Sequence, residues 1–462
     1  MGLLIGVGNN TPKFPYTDLW YGIRIHIKNG GHSVSDGKLE RVGNLNLHKT
    51  LPIQKRIRRY VANTDGSVKY WLNDNDSRLK EGGGTAQLNA VDGIVQLYKP
   101  DYWRRIEFDG DDMLVAISEV ELPGFVHMKE KSRSPWLATF NRTTNLPTCA
   151  CFLTWNGNEP ARNPDKTLKF TDNAANFRGG NNSTTNDGKY NSLIGMPQSA
   201  TSKATIRTRC KNLGEKWHHG GWRFREEMSW LMAIEFGDLD SQAPYQATKD
   251  ESGYSHGGLG NGTFFDGSKW SAFNGYYPFI PAGITAPLGN HTGIVDYNCL
   301  QSDGTYKVFK VASYRGWEQP QQYLWEQNDD VLVLNNLDDG TTKLLLASDP
   351  AKFTTPADGV KVAPDGYTEL GVLPNAGGYI SEMGVANGYT FPSSVVGGSS
   401  NKNYCDYYWK PEADGMYQLL SAASAYDAED SGVRCALAYH RGANTSAVFG
   451  FPLCLEIGTE GI

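Results

Sequence analysis

Tyr21-Gly22-Ile23-Arg24-Ile25-His26-Ile27 alternates with a period of two and runs into an Asn29-Gly30-Gly31 turn. Successive side chains of a strand point to opposite faces, so this spacing predicts a half-buried strand entering a tight turn. Working outward, Val68-Lys69-Tyr70-Trp71-Leu72 and Gly93-Ile94-Val95-Gln96-Leu97-Tyr98 are similar. Met113-Leu114-Val115-Ala116-Ile117 is an apolar run after the Asp109-Gly110-Asp111-Asp112 turn. Residues 1–135 therefore read as an antiparallel β region. Beyond about residue 310 short strand-like runs return, at Val331-Leu332-Val333-Leu334, Lys343-Leu344-Leu345-Leu346, Arg434-Cys435-Ala436-Leu437-Ala438 and Pro452-Leu453-Cys454-Leu455-Glu456-Ile457.

Two segments read as helices. Residues 200–213 begin Ser/Thr-rich and have Gly214 just past their end, the expected start and stop signals. Residues 222–236 place Met228, Leu231, Met232 and Phe236 at helical spacing, with Arg225, Glu226 and Glu227 between them. Both are expected to pack against the core. Trp222, Trp230, Trp317 and Trp325 stand beside apolar residues and are expected to point inward, while Arg315 is expected to brace a loop. Residues 237–310 are mostly Gly, Asn, Ser and aromatic, which is long for a loop without function. The fold class is thus α+β, mostly β and loop-rich, with no internal repeat of fixed period.

The 462 residues allow two to four domains or one large elaborated one, at roughly 100–200 residues per domain. With 12 Trp, 24 Tyr and 18 Phe a sizeable core is available, and this excludes a disordered chain. The 52 Gly, 22 Pro and mean hydropathy of -0.48 assign much of the rest to turns and loops. A net charge of -6 with no long block of either sign lacks the basic footprint of a nucleic-acid partner. The densest basic run, Lys55, Arg56, Arg58 and Arg59, reads as a solvated strand or turn edge. Seven Cys show no disulfide spacing and read as buried thiols, fitting assembly in a reducing cytoplasm. Cys149 and Cys151 would share one face of a strand. The opening MGLLIGVGNN is too short and uncharged for a signal peptide, and no apolar run approaches a membrane span.

Motifs for chemistry fail on inspection. The glycine cluster at 257–262 lacks dinucleotide spacing, and there is no phosphate loop, Gly-x-Ser-x-Gly or His-Glu-x-x-His. Asp74-Asn75-Asp76 opens like a calcium loop, but Leu79 and Thr85 occupy the turn and bidentate-acid positions. His218-His219 reads as a turn between the helices, and the stretch 155–160 resembles lectin sugar triplets only in the wrong order. Carboxylate pairs at 111–112, 329–330 and 338–339 read as Asx turns. No catalytic residue, metal site or cofactor is expected.

A resemblance extends this reading. His48-Lys49-Thr50-Leu51-Pro52-Ile53-Gln54 through Arg58-Arg59, and then Leu122-Pro123-Gly124-Phe125, resemble a protein family of phages and prophages of gut Bacteroidales. The likeness resumes at Gly195-Met196-Pro197, Trp222-Arg223, Ile234-Glu235-Phe236 and Asp240-Ser241-Gln242, and covers Ser313-Tyr314-Arg315-Gly316-Trp317-Glu318-Gln319-Pro320 to Trp325. Members of that family resemble C-type-lectin-fold proteins of the formylglycine-generating-enzyme type, including retroelement-diversified variable proteins such as the major tropism determinant. The terminal order Gly397-Gly398-Ser399-Ser400, Cys405-Asp406-Tyr407-Tyr408, Ala425-Tyr426-Asp427, Ser431-Gly432 and Gly450-Phe451-Pro452-Leu453 is similar to theirs. Ala422-Ala423 replaces their Gly-Gly pair, and Pro452 stands where their last strand has Arg, which argues against active diversification.

The resemblance implies an N-terminal β-rich attachment region over 1–135 and a C-type-lectin-like domain with two helices and long loop insertions over 136–462. It implies a non-enzymatic virion protein, of tail- or head-fibre type, assembled in the bacterial host cytoplasm. Its expected partners are a bacterial surface glycan or protein and, through the N-terminal region, other virion proteins. It implies a homotrimer, without nucleic acid or membrane insertion. Loops on a rigid scaffold are where recognition usually sits, and the exposed-looking candidates are Tyr426, Asp427, Glu429, Asp430, Arg434, Tyr439, His440, Arg441, Asn444 and Ser446. One alternative is a structural virion part whose lectin-like face contacts neighbouring subunits. Another is a copper-dependent oxidase, for which Cys435 and Cys454 would have to meet in space.

Overall fold

The computed structural model describes residues 17–151, 197–245, 280–300, 306–321, 323–424, 427–446 and 448–457. The glycine cluster at 257–262, the stretch 155–160 and Tyr426 lie outside them. Most of the regular structure is β, as the alternation implies. Trp20–His26 is the strand of the opening motif, paired antiparallel to Leu39–Gly43 and Asp112–Ser118. Tyr102–Asp109 and Val126–Met128 complete a five-stranded antiparallel sheet. Tyr21, Ile23 and Ile25 lie at most 1% exposed on its inner face, the period-two pattern made physical.

A second sheet runs across residue 135. Its order is Trp217–His218, Cys454–Leu455, Lys131–Arg133, Ile94–Lys99, Arg58–Ala62, Val68–Asn73 and Asp76–Lys80. The end of the chain thus pairs with the strand just before 135, with Ser132 opposite Leu455. A third sheet has the order Tyr367–Leu373, Thr341–Ala347, Trp325–Asn336, Gly415–Ser421, Ala436–Leu437, Tyr407–Trp409 and Gly378–Tyr379, with Phe449–Gly450 parallel to Trp325.

Three α-helices lie among the described residues. α1, Leu45–Thr50, was not expected; the Asn44 side chain caps it and Leu51 closes it in the left-handed region. α2, Lys203–Leu213, starts at Ser202, whose hydroxyl accepts from Thr205 N, and stops at Gly214. α3, Trp222–Phe236, spans the expected residues and ends at a left-handed Gly237. It is buried on nearly every side, so it is the axis of the core rather than a surface helix. The four tryptophans are buried as expected. Arg315, at φ 49°, braces its loop through a bidentate pair with Glu235 on α3.

Burying α3 buries its charges, and each is answered. The Glu226 carboxylate accepts from Arg104, Trp230, and the amide and hydroxyl of Thr390. Glu227 pairs with Lys99 at 2.9 Å and Lys131 at 2.6 Å. Arg225 shares Glu326 with Arg133.

Three readings are corrected here. Asp329 and Asp330 do not form an Asx turn: they lie fully buried in the strand Trp325–Asn336, at a register shift between Gln327 and Leu332. Asp330 accepts from the Trp222 and Arg223 amides and so caps α3, while Asp329 binds Arg207 at 2.6 Å and faces Lys203. Arg59 is no solvated edge either. Alternation on Arg58–Ala62 turns it inward, where its guanidinium donates to Gly316 O and Thr285 Oγ1 and lies over the Trp136 ring. Cys149 and Cys151 share one core cluster but lie past the short strand Pro147–Thr148 rather than on it.

Candidate functional site

The strand Gly415–Ser421 is buried along its whole length and holds the segment that follows it. Its Gln418 amide donates to His440 O, and the Gln418 side chain donates to Arg441 O at 3.1 Å. The loop closes on itself, because Arg441 N donates to Asn444 Oδ1 at 2.6 Å and Asn444 N to Arg441 O at 3.0 Å. The Arg441 guanidinium turns back beneath the loop to Asp414 O and Met416 O and lies over the Tyr417 ring. Ser446 is half-buried, and its carbonyl accepts from Ala200 N and Phe449 N. This loop is rigid by construction. It leaves Tyr439 44% exposed, Asn444 exposed and His440 half-buried.

Other candidates point elsewhere. Arg434 was read as exposed, but it is half-buried, its guanidinium stacked over the Trp230 and Tyr404 rings and donating to Ser229 O and Leu239 O. It ties the middle of α3 and the loop after it to the segment entering Ala436–Leu437. Asp427 accepts from the amide and hydroxyl of Ser424, and burial raises its carboxyl to about 6. Glu429 is exposed, and Asp430 accepts from the Tyr379 hydroxyl. Tyr426 lies outside the described residues.

The Asp430–Tyr379 contact leads to a feature that the sequence reading missed. Tyr379, Tyr407, Trp409 and Trp325 form a row with ring centroids 5.1, 4.5 and 5.4 Å apart in turn. Phe449 pairs with Trp325 across the parallel bridge, and His440 and Tyr439 continue the row at 4.8 and 4.4 Å. Trp325 and Phe449 are buried, whereas Tyr379, Tyr407 and Trp409 are half-buried and Tyr439 is exposed. The signal was Tyr407-Tyr408-Trp409, whose alternation puts the first and third rings on one face and buries the second completely.

A separate open cleft of about 940 Å³ is lined by His127, Lys131, His218, Arg223, Tyr389 and Glu456 among others. Several of its charges are engaged with one another or with near neighbours, as in His218–Glu456 and His127–Asp101. His219 lies behind it, fully buried, and burial lowers its imidazole to about 3.

The thiols required by a copper oxidase do not pair. Cys435 donates to Asp430 O and Tyr407 O, whereas Cys454 lies in the second sheet opposite Arg133 and His218. Burial raises both thiols, so neither is a ready thiolate. One group of metal-ligating side chains does meet among the described residues, namely His32, Asp240 and Cys405. No helix among those residues is long and apolar enough to cross a membrane. Neither a protein-family model nor a curated protein matches the chain.

Proposed function

We propose that this protein is a non-enzymatic phage virion component that recognises a bacterial surface ligand, a glycan above all, along the aromatic row and the 439–446 loop. The observation that carries this reading is the row itself: three half-buried rings, Tyr379, Tyr407 and Trp409, fixed on a paired sheet, with the exposed Tyr439 on the braced loop beside them. Aromatic faces cover the apolar C–H faces of sugar rings, and their rigidity limits the ordering cost of binding. Neighbouring acceptors such as Glu429 and Asn444 supply the hydrogen bonds that hydroxyl groups need.

The C-type-lectin-like character of residues 136–462 belongs to the same proposal. So do the attachment role of residues 1–135, homotrimeric assembly and location in the virion, all of which the resemblance implies.

The test is saturable binding of the purified intact protein to Bacteroidales cells and to an array of their surface glycans. Tyr407→Ala with Tyr439→Ala should weaken binding at least tenfold while leaving the circular dichroism unchanged. A folded protein that binds neither cells nor glycans would move the assignment to a structural virion part, with the same face packed against neighbouring subunits.

A further inference from the structure

We propose that His32, Asp240 and Cys405 bind a divalent cation of the zinc class, clipping together three segments that are remote in sequence. A donor atom of each lies within 4.8 Å of the others. Imidazole, carboxylate and thiolate form the mixed nitrogen, oxygen and sulfur set that suits zinc rather than calcium or magnesium. Donors around a tetrahedral zinc stand roughly 3.5 Å apart, given metal–ligand bonds of about 2.0–2.3 Å. Binding therefore needs small side-chain rotations and no movement of the fold.

The backbone already holds the three segments together. Leu239 N donates to His32 O at 2.8 Å, and Asn403 N donates to Gly31 O at 2.7 Å. Ser33 bridges Asp238 in an isolated β-pair. Asn403 and Cys405 both stand at positive φ, 63° and 60°, conformations costly for residues with a Cβ. From that backbone the Cys405 Sγ lies within 4.8 Å of donor atoms of His32 and Asp240.

The surroundings are those of a metal centre. Asp238 Oδ1 lies 2.7 Å from His32 Nδ1, and with Nδ1–H donating to this carboxylate the Nε2 lone pair faces a metal. A carboxylate behind a histidine in this way orients metal-bound imidazoles and raises their basicity. Asp240 Oδ1 accepts from Gln242 N at 2.9 Å, which orients the carboxylate. The Arg434 guanidinium lies over the ring of Tyr404, the residue just before Cys405. The Asp240 and Cys405 charges together balance a dication. Asp240 and Cys405 are 5% and 3% exposed, while the His32 side chain is 24% exposed. Three protein donors leave the fourth position of a tetrahedral shell for a water, and His32 is the ligand nearest solvent.

The full-length protein, stripped with chelator, is titrated with Co²⁺ and separately with Zn²⁺. One equivalent of Co²⁺ should produce tetrahedral d–d bands and a thiolate-to-metal charge-transfer band, and Zn²⁺ should raise the melting temperature. Cys405→Ser should abolish the charge-transfer band, with Cys210→Ser as a control that keeps it. His32→Gln, at a partly exposed position, and Asp238→Asn should each weaken Zn²⁺ binding by about 10–100-fold. No band in the wild type, a band that survives Cys405→Ser, or unchanged affinity in His32→Gln overturns the site.

Discussion

The Arg441 guanidinium lies 3.9 Å from the centroid of the Tyr417 ring and donates to the carbonyls of Asp414 and Met416. An arginine read from the sequence as a contact residue is therefore the pin of its loop, and its exposed neighbour Tyr439 is the residue proposed as the contact. The two roles separate in a mutant pair. Tyr439→Ala removes an exposed ring and should change stability by less than about 0.5 kcal/mol while weakening cell binding. Arg441→Ala loses a cation–π contact and two hydrogen bonds, and should cost about 1–3 kcal/mol in denaturant unfolding. Equal stability losses in the two variants would refute this division.

Glu326 sits between Arg133 and Arg225, with none of the three side chains more than 3% exposed. Glu326→Ala leaves two buried guanidinium groups without their carboxylate, at a cost of about 3–5 kcal/mol. The two arginines hold the Glu326 carboxyl down at about 2 against an ordinary 4.5. The unfolded chain thus binds this proton first as acid is added. The pair's contribution is complete above pH 4.5 and declines as pH falls toward 2. Urea unfolding at pH 7, 4 and 3 should show this loss in the wild type and a shallower one in Glu326→Ala.

How much of this was legible depends on the range of the interaction. α2 and α3 were readable because their caps and periodicity are local, as Ser202, Gly214 and Gly237 show. α1 was missed because six residues carry too little periodicity, and its cap is one Asn among many. The pairing of Ser132 with Leu455 was invisible, since no local pattern announces a strand that returns from the other end of the chain. Asp329 and Asp330 were misplaced because an Asn-Asp-Asp run favours turns, and only the buried cations and the α3 amides around them explain a strand there. Arg434 failed for the same reason: its partners are carbonyls and rings brought in by α3 and the loop after it. Within the candidate face, exposure at Glu429, Tyr439 and Asn444 was read correctly, while the ring row needed the third sheet to assemble it.

Gly432 marks the tightest approach in the terminal region. A Cβ there would stand 1.6 Å from Asp406 Oδ1. Asp406 is fully buried and its other oxygen accepts from Arg434 N at 2.7 Å, so the carboxyl has little room to move aside. Gly432→Ala should cost about 3 kcal/mol or more, at the upper end of overpacking penalties. Gly397→Ala makes a control, because its Cβ meets nothing within 4 Å and only its φ of 79° resists the change. Thermal unfolding of both variants tests this, and a Gly432→Ala protein as stable as the control would show that Asp406 can shift.

His440 supplies the last prediction, because the proposed contact surface carries an imidazole that burial depresses to about 4. Its ring lies between Tyr439 and Phe449, out of reach of full hydration. In the unfolded chain the same ring titrates near 6.5. Between these values the unfolded state binds the extra proton, so the histidine's stabilising effect is whole above 6.5 and declines as pH falls toward 4. The folded ring stays neutral across that interval. Ligand binding by folded protein should therefore be flat from pH 7 to pH 5, even as stability drifts down. Below about pH 4 the charged ring must leave its place between the two aromatics, and binding should fall as Tyr439 loses its support. Binding measured at pH 7, 6, 5 and 3.5, with His440→Gln alongside, separates the possibilities. A midpoint near 6 in the wild type that disappears in the variant would mean that the ring titrates as a solvated histidine, and that it touches the ligand itself rather than holding Tyr439 in place.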